Sequence, residues 1–377
     1  MRFDTIIIGG GLAGLTAGIR LQEEGLHTAI VSSGQSALHF FSGTFESLGD
    51  CQEATELLKR AGIELHSLEG GRRLLPGGAF KEAEPSLQDV SLIQGSIGKS
   101  ALIVSFNGYH DFFPELLAAA LQKDGTQAKV EIIEMPELAV LRKSPSEMRS
   151  VNIARVLDKS WSWLVDVIKG VVEKSPVDTV ILPQVFGLDD ASIPDKVREA
   201  LAPLNVVFVG TLPPSVPGIR TQNLLRKRYE TLGGTYVIGD QVISGAVHEG
   251  VVSSIASKNL DTYRLFAGNF ILCTGSFFSK GLSSNPDGIK EPVFGLDVDA
   301  PASRDGWYKA DFFQDQPYME TGVKADEHLH PFIGGSKISN LYVAGSILAG
   351  DKYGKAAGKA MRSALAAAEL ILKDSRV

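Results

Sequence analysis

The segment that most restricts what this chain can fold into is its opening. Thr5-Ile6-Ile7-Ile8 is β-branched at every position, as suits a strand buried on both faces of a parallel sheet. Gly9-Gly10-Gly11-Leu12-Ala13-Gly14 follows and contains GxGxxG as Gly9, Gly11 and Gly14. Residues 15–24 then read as a helix ended by Gly25, and residues 28–31 as a second strand. Each glycine has a physical task. Gly9 permits the tight turn, Gly11 lets backbone approach a phosphate, and Gly14 lets the helix pack closely. The helix start at Leu12 and Ala13 offers free N–H groups and positive dipole to that phosphate. A glycine trio that leaves a strand and opens a helix is a much stronger signal than the trio alone, although a glycine turn without a ligand is the plain alternative.

The usual acidic residue is missing. A dinucleotide site places Asp or Glu about 20 residues on, where it binds a ribose hydroxyl. Here the second strand runs into Ser32-Ser33-Gly34, and no Asp or Glu occurs between Glu24 and Glu46. Two explanations compete. The ligand is a mononucleotide such as FMN, whose phosphate needs only the loop, or serine hydroxyls hold the ribose of FAD. The stretch from Gly34 to Gly43 mixes small hydroxyls with aromatics, so Ser33, Gly34, Ser36, Ser42 and Gly43 are candidate contacts. His39 is a flavin contact, a covalent attachment point, or a histidine packed in a loop.

The far end of the chain returns to the same place. Residues 269–273 form an apolar strand followed by Thr274-Gly275-Ser276, and residues 341–344 form another that ends in Gly345-Ser346. Thr274, Gly275, Gly345 and Ser346 are therefore expected to line the site from the C-terminal side. An alanine-rich helix is expected over residues 355–372, with Gly354 and Gly358 near its start. Its Lys355, Lys359 and Arg362 argue against a membrane span.

Between these ends, strand-like runs at 101–104, 127–134, 177–182 and 206–209 alternate with helical stretches at 111–122 and 151–172. That pattern predicts an α/β insert. The fold class is thus α/β, a Rossmann-like flavin-binding domain with an inserted α/β domain. The first flavin-binding segment is residues 1–64, the insert 65–205, and the second segment 206–377. Arg226-Lys227-Arg228 reads as a solvated helix face, and Arg220, beside a Gly-Pro turn, as a candidate phosphate ligand. Residues 277–318, with Arg304, Trp307, Tyr308 and Lys309, read as a lid, an intersubunit contact or an ordinary loop. No catalytic acid or base and no metal site presents itself.

Composition trims the alternatives. The net charge of −7 argues against a general nucleic-acid surface. Only two cysteines occur, Cys51 and Cys273, too few for an iron–sulfur cluster held by this chain alone. They suit a reducing, cytoplasmic compartment. The N-terminus reads as a strand and not as a signal peptide.

With these residues laid out, the chain resembles the B-subunit family of anaerobic glycerol-3-phosphate dehydrogenases nearly end to end. The matching blocks are residues 3–18 with Gly34-Gln35-Ser36-Ala37-Leu38-His39-Phe40, then 136–155, 211–223, 276–278, 291–298 and 307–313. One segment departs: Gly350-Asp351-Lys352-Tyr353-Gly354-Lys355 is poorer in glycine than the family pattern. The resemblance implies an FMN flavoprotein that pairs with a FAD-containing partner subunit. A third, iron–sulfur, membrane-anchoring subunit ties the pair to the inner face of the cytoplasmic membrane. The resemblance also implies oxidation of sn-glycerol 3-phosphate to dihydroxyacetone phosphate, with electrons passed to quinone and then to fumarate or nitrate. A stand-alone FAD dehydrogenase and a structural subunit with a vestigial flavin site are the competing readings.

Overall fold

The computed structural model describes residues 2–260, 263–350 and 356–375. The chain forms two compact units. The first comprises Met1–Ala37, Phe45–Ile63 and Gln222–Val377, and the second Leu38–Thr44 and Glu64–Thr221.

The first unit is built on a five-stranded parallel sheet. Its strand order is Thr235–Ile238, Thr28–Ser32, Arg2–Ile8, Phe266–Leu272 and Leu341–Val343. The β-branched run is the centre of this sheet, and Ile6, Ile7 and Ile8 are buried between Thr28–Ser32 and Phe266–Leu272. Ile6, Ile7 and Ile8 point to alternate faces and are all buried, so both faces of the strand are covered, which explains why the alternation of polar and apolar residues disappears here. Helix Leu12–Glu23 packs beside helix Ala357–Ser375. Gly18 sits where a methyl group would lie 2.9 Å from both Ile30 and the Tyr229 ring, so the helix also packs closely one turn beyond the glycine loop. The sequence starts the last helix at Lys355; that residue and Asp351 to Gly354 lie outside the described residues.

The second unit carries a four-stranded parallel sheet in the order Asn205–Val209, Thr179–Pro183, Ser100–Phe106 and Gln127–Ile133. Helices Pro114–Lys123, Ser150–Lys174 and Ile193–Leu201 accompany it. The long helix is bent at Ser160, whose φ of −130° leaves the helical range. Its N-terminus is capped from a distance. The buried carboxylate of Asp111 accepts from the Ser150 N–H at 2.8 Å and the Ser150 hydroxyl at 3.0 Å. It also pairs with the Arg149 guanidinium at 2.8 Å. A carboxylate at this end meets both the free amides and the dipole.

Replacing that carboxylate keeps the shape but weakens every bond it makes. Asp111→Asn is expected to destabilise the second unit by about 1.5–3 kcal/mol, the scale of hydrogen bonds to a charged group. Urea unfolding followed by circular dichroism measures this, and an unchanged midpoint would refute the capping role.

Candidate flavin site

The glycine loop is tightly fixed at two of its three glycines and open at the third. Gly9 has φ +115°, and a Cβ there would lie 2.3 Å from the Cys273 carbonyl oxygen. A Cβ on Gly14 would lie 1.9 Å from the Gly9 carbonyl oxygen. No side chain except hydrogen fits at either place. Gly11 differs: its backbone is extended, and a Cβ would meet only Ser36 Cβ at 3.6 Å, an ordinary contact. Gly11 is also the N-cap of the helix that follows, where glycine is preferred to alanine. Helix Leu12–Glu23 begins directly after Gly11. No side chain among the described residues caps it, and its first turn holds no acidic residue. The amides at Leu12, Ala13 and Gly14 thus end the helix as an anion-attracting surface.

The C-terminal strands deliver their small residues to this loop. Gly9 abuts Cys273 and Thr274. Gly345, at φ +83°, packs so closely on Ala13 that a Cβ would lie 2.8 Å from the alanine methyl. The Gly345 N–H donates to Ser363 Oγ of the last helix at 2.9 Å. Gly275 and Ser346 are neighbours, 3.5 Å separating Ser346 Oγ from where a Gly275 Cβ would stand. Gly9, Ala13, Gly14, Thr274, Gly275, Gly345 and Ser346 therefore meet at one place. The hydroxyl of Thr274 is buried there with no hydrogen-bond partner among the described residues. The hydroxyls of Thr5 and Thr221 are likewise buried without a partner among the described residues. Neighbouring Cys273 is a buried, free thiol whose pKa burial pushes well up, so it is inert.

At the end of the second strand the chain places a set of neutral polar groups. The strand extends to Ser32, one residue further than its apolar run, and Ser32 is buried whereas Ser33 is exposed. Ser32 Oγ donates to the Gly34 carbonyl at 2.9 Å. Ser36 Oγ donates to Gln222 Oε1 at 3.1 Å. The Tyr236 hydroxyl, from the edge strand, donates to the Gly10 carbonyl at 3.1 Å. Gly10, Ser32, Gln222 and Tyr236 do not stand out in the sequence. The strand pairing that brings Tyr236 beside Ile30 joins positions about two hundred residues apart, and no local pattern marks it.

Other candidates fall in the second unit. Gly43, at φ +89°, wedges against Val90, where a Cβ would lie 2.5 Å from the valine methyl. Ser42 is exposed, and its carbonyl accepts from Arg73 at 3.5 Å. His39 is half-buried in the turn Ala37–Phe40, and burial lowers its pKa. Arg220 is not beside a turn but inside helix Val216–Thr231. It is buried, pairs with buried Asp89 at 2.7 Å and donates to the Gly187 carbonyl at 2.6 Å. That neutralised charge holds the fold together and does not await a phosphate. Nor is the Arg226-Lys227-Arg228 run simply solvated: Arg226 pairs with Glu230 and Arg228 with Glu23, each at 2.9 Å.

Within residues 277–318 the stretch around Glu291 is fixed by a side chain, while 302–315 is largely exposed turn and coil. The buried Glu291 carboxylate accepts from the amides of Val293 and Phe294 at 2.8 Å and Gly295 at 3.0 Å. Beyond it the surface is aromatic, with Phe312 79% and Phe313 94% exposed. Among the described residues no cluster of three metal-binding side chains occurs, and no helix is long and apolar enough to cross a membrane.

Cutting the buried pair from one side strands the other charge. Arg220→Met is expected to cost about 3–5 kcal/mol, and Arg220→Met with Asp89→Leu much less, because the double change leaves no unpaired charge. Chemical denaturation of both variants tests this; equal losses would refute it.

The family described as FAD binding domain matches residues 4–53 and 47–358. The B-subunit of the anaerobic glycerol-3-phosphate dehydrogenase of Pectobacterium atrosepticum is 37% identical over 99% of this chain and 99% of that protein. The corresponding B-subunit of Yersinia pestis is 35% identical over 100% of both. Among solved structures, THI4 of Thermovibrio ammonificans is a remote likeness, with TM-score 0.40 and 10% identity over 100% of this chain and 91% of that one. The chain belongs to the B-subunit family of anaerobic glycerol-3-phosphate dehydrogenases, a family of flavin-dependent oxidoreductases.

Proposed function

We propose that this chain is the FMN-carrying subunit of an anaerobic glycerol-3-phosphate dehydrogenase, with the first unit as the flavin-binding domain and the second as its α/β insert. The complex oxidises sn-glycerol 3-phosphate to dihydroxyacetone phosphate and passes the electrons to quinone, for fumarate or nitrate respiration. A FAD-containing subunit and an iron–sulfur, membrane-anchoring subunit are its partners, and the latter holds the assembly at the inner face of the cytoplasmic membrane. The exposed aromatic surface around Phe312 and Phe313 is the proposed contact with one of these partners. The observation that carries the cofactor assignment is the contrast at the two ends of the loop. The phosphate cradle is intact, and the place of the ribose acid is taken by Ser32.

In this reading the amides of Leu12, Ala13 and Gly14 hold the phosphate, with Gly9 and Gly11 shaping the approach. Thr274 Oγ1, Gly275, Gly345 and Ser346 line the C-terminal side of the site. Ser33, Gly34 and Ser36 flank the loop. A bound flavin supplies the redox chemistry; the chain binds it, orients it and sets its surroundings. A second reading, a FAD-dependent dehydrogenase that works alone, is favoured by the name of the matched family.

Acid release from the purified chain, followed by chromatography, decides between the two. FMN at one per chain is expected, and FAD would overturn the assignment. The glycine loop supplies a sharper test. Gly11→Ala should lower the melting temperature only slightly, since its Cβ meets nothing closer than 3.6 Å and only the N-cap preference for glycine is lost. It should weaken flavin binding by about tenfold or more, because the added methyl group holds the phosphate off the loop and weakens a hydrogen bond to a charged group. Gly14→Ala should destabilise the fold itself. Flavin affinity unchanged in Gly11→Ala would remove the phosphate from this loop.

A further inference from the structure

The end of the second strand is where a dinucleotide-binding fold receives the adenosine ribose, beside the glycine loop and next to an acidic residue. In this chain that strand ends at Ser32, and the space beside it is filled from the neighbouring edge strand. Tyr236 pairs in register with Ile30, so its side chain lies on the same face of the sheet as those of Ile30 and Ser32. Its hydroxyl reaches the Gly10 carbonyl at 3.1 Å. A Cβ built on Gly10 would lie 2.1 Å from that hydroxyl oxygen and 2.7 Å from both Cβ and Oγ of Ser32. Three groups thus crowd one point, and Gly10 is glycine because the phenol is there.

The hydrogen bonds around the phenol are closed as well. A ribose diol presents donors and needs a strong acceptor, which a carboxylate supplies. Here Ser32 Oγ is bonded to the Gly34 carbonyl, Gln222 Oε1 accepts from Ser36, and the Gly10 carbonyl accepts from Tyr236. The acid on this helix, Glu230, is paired with Arg226, whose guanidinium lies over the Tyr236 ring at 4.7 Å. A further contact is the Tyr229 ring, edge to face at 6.5 Å. The ring is therefore held by two partners and does not swing aside freely.

We propose that Tyr236, together with Ser32, is the specificity-determining residue of this flavin site. It occupies the adenosine pocket and restricts the site to a mononucleotide. The proposal rests on the FMN reading above but concerns a different end of the site, so the two can fail separately.

The test uses the full chain with FMN, FAD and ADP as separate probes, ADP reporting the adenosine pocket without any flavin. Wild type is titrated by calorimetry beside Tyr236→Thr and Tyr236→Thr with Ser32→Glu. Threonine opens the volume and keeps the β propensity of an edge strand. Tyr236→Phe keeps the volume and serves as the control. Wild type and Tyr236→Phe are expected to bind FMN and not ADP. The two threonine variants should gain ADP binding, and the double variant should shift the FAD-to-FMN affinity ratio by about tenfold or more, as one charge-assisted hydrogen bond allows. Wild type that binds ADP as well as the threonine variants do would overturn the proposal. So would folded threonine variants that bind FMN and gain nothing for ADP. If wild type binds neither flavin while the variants gain ADP, the cofactor reading fails and the occupied pocket stands. Melting curves accompany each titration. If the double variant unfolds early, Tyr236→Thr alone decides the outcome.

Discussion

The carbonyl of Gly9 is pressed by the helix while Gly9 itself is pressed by a strand, and the candidate site is assembled around that clamp. On one side the helix brings Gly14 so near that a Cβ would lie 1.9 Å from the Gly9 oxygen. On the other, the strand Phe266–Leu272 runs into the Cys273 carbonyl, 2.3 Å from where a Gly9 Cβ would be. Because the loop is clamped, the helix has to start at Leu12, and its uncapped amides face outward from a fixed position. The same clamp sets Thr274 and Gly275 alongside. Gly345 reaches the loop by packing on Ala13, and Ser363 of the last helix anchors its amide. Segments from both ends of the chain are thereby held to a few ångströms by close backbone packing, and none of the residues named in this clamp is charged.

The two ends of this loop are chemically unlike. Toward the helix start, polar groups are left open: among the described residues the amides have no side-chain cap, and the Thr274 hydroxyl is buried without a partner. The buried hydroxyl costs free energy unless something bonds to it, while the outward amides are left to water or a ligand. Toward the second strand, Ser32, Ser36 and Tyr236 each have a protein partner, and an aromatic ring fills the volume. A fold that could have closed its hydrogen bonds at both ends has closed them at one. That asymmetry carries more information about the ligand than the glycine motif does, because the motif is shared by mononucleotide and dinucleotide sites alike.

The parts legible in the sequence are those fixed by short-range constraints. The β-branched opening, the glycine loop and the strands of the second sheet all occur near the positions read from pattern alone, since burial on both faces leaves an unmistakable apolar run. What the sequence hid depends on pairing across distance or on a single residue of phase. The second strand continues to Ser32, and in a strand one residue changes the face. Ser32 is consequently buried at the loop and Ser33 exposed. Arg220 looks available beside a Gly-Pro turn because its partner, Asp89, is remote in sequence. Tyr236 is invisible for the same reason: only the register of an edge strand brings it to Gly10.

Arg220 and Gly11 mark two ways a protein handles an anion. Around Arg220 a full charge is buried, and the fold supplies Asp89 and the carbonyl of Gly187 to neutralise and bond it. Such a group serves stability, because releasing it toward a ligand would leave a carboxylate buried alone. At Gly11 no charge is involved. Backbone amides and a helix dipole face outward, no side chain among the described residues caps them, and Cβ-free space lies in front. A phosphate held this way needs no titratable protein partner, and its binding would depend on salt less than with a lysine or arginine clamp. Of the two, backbone recognition leaves no buried charge for the fold to neutralise.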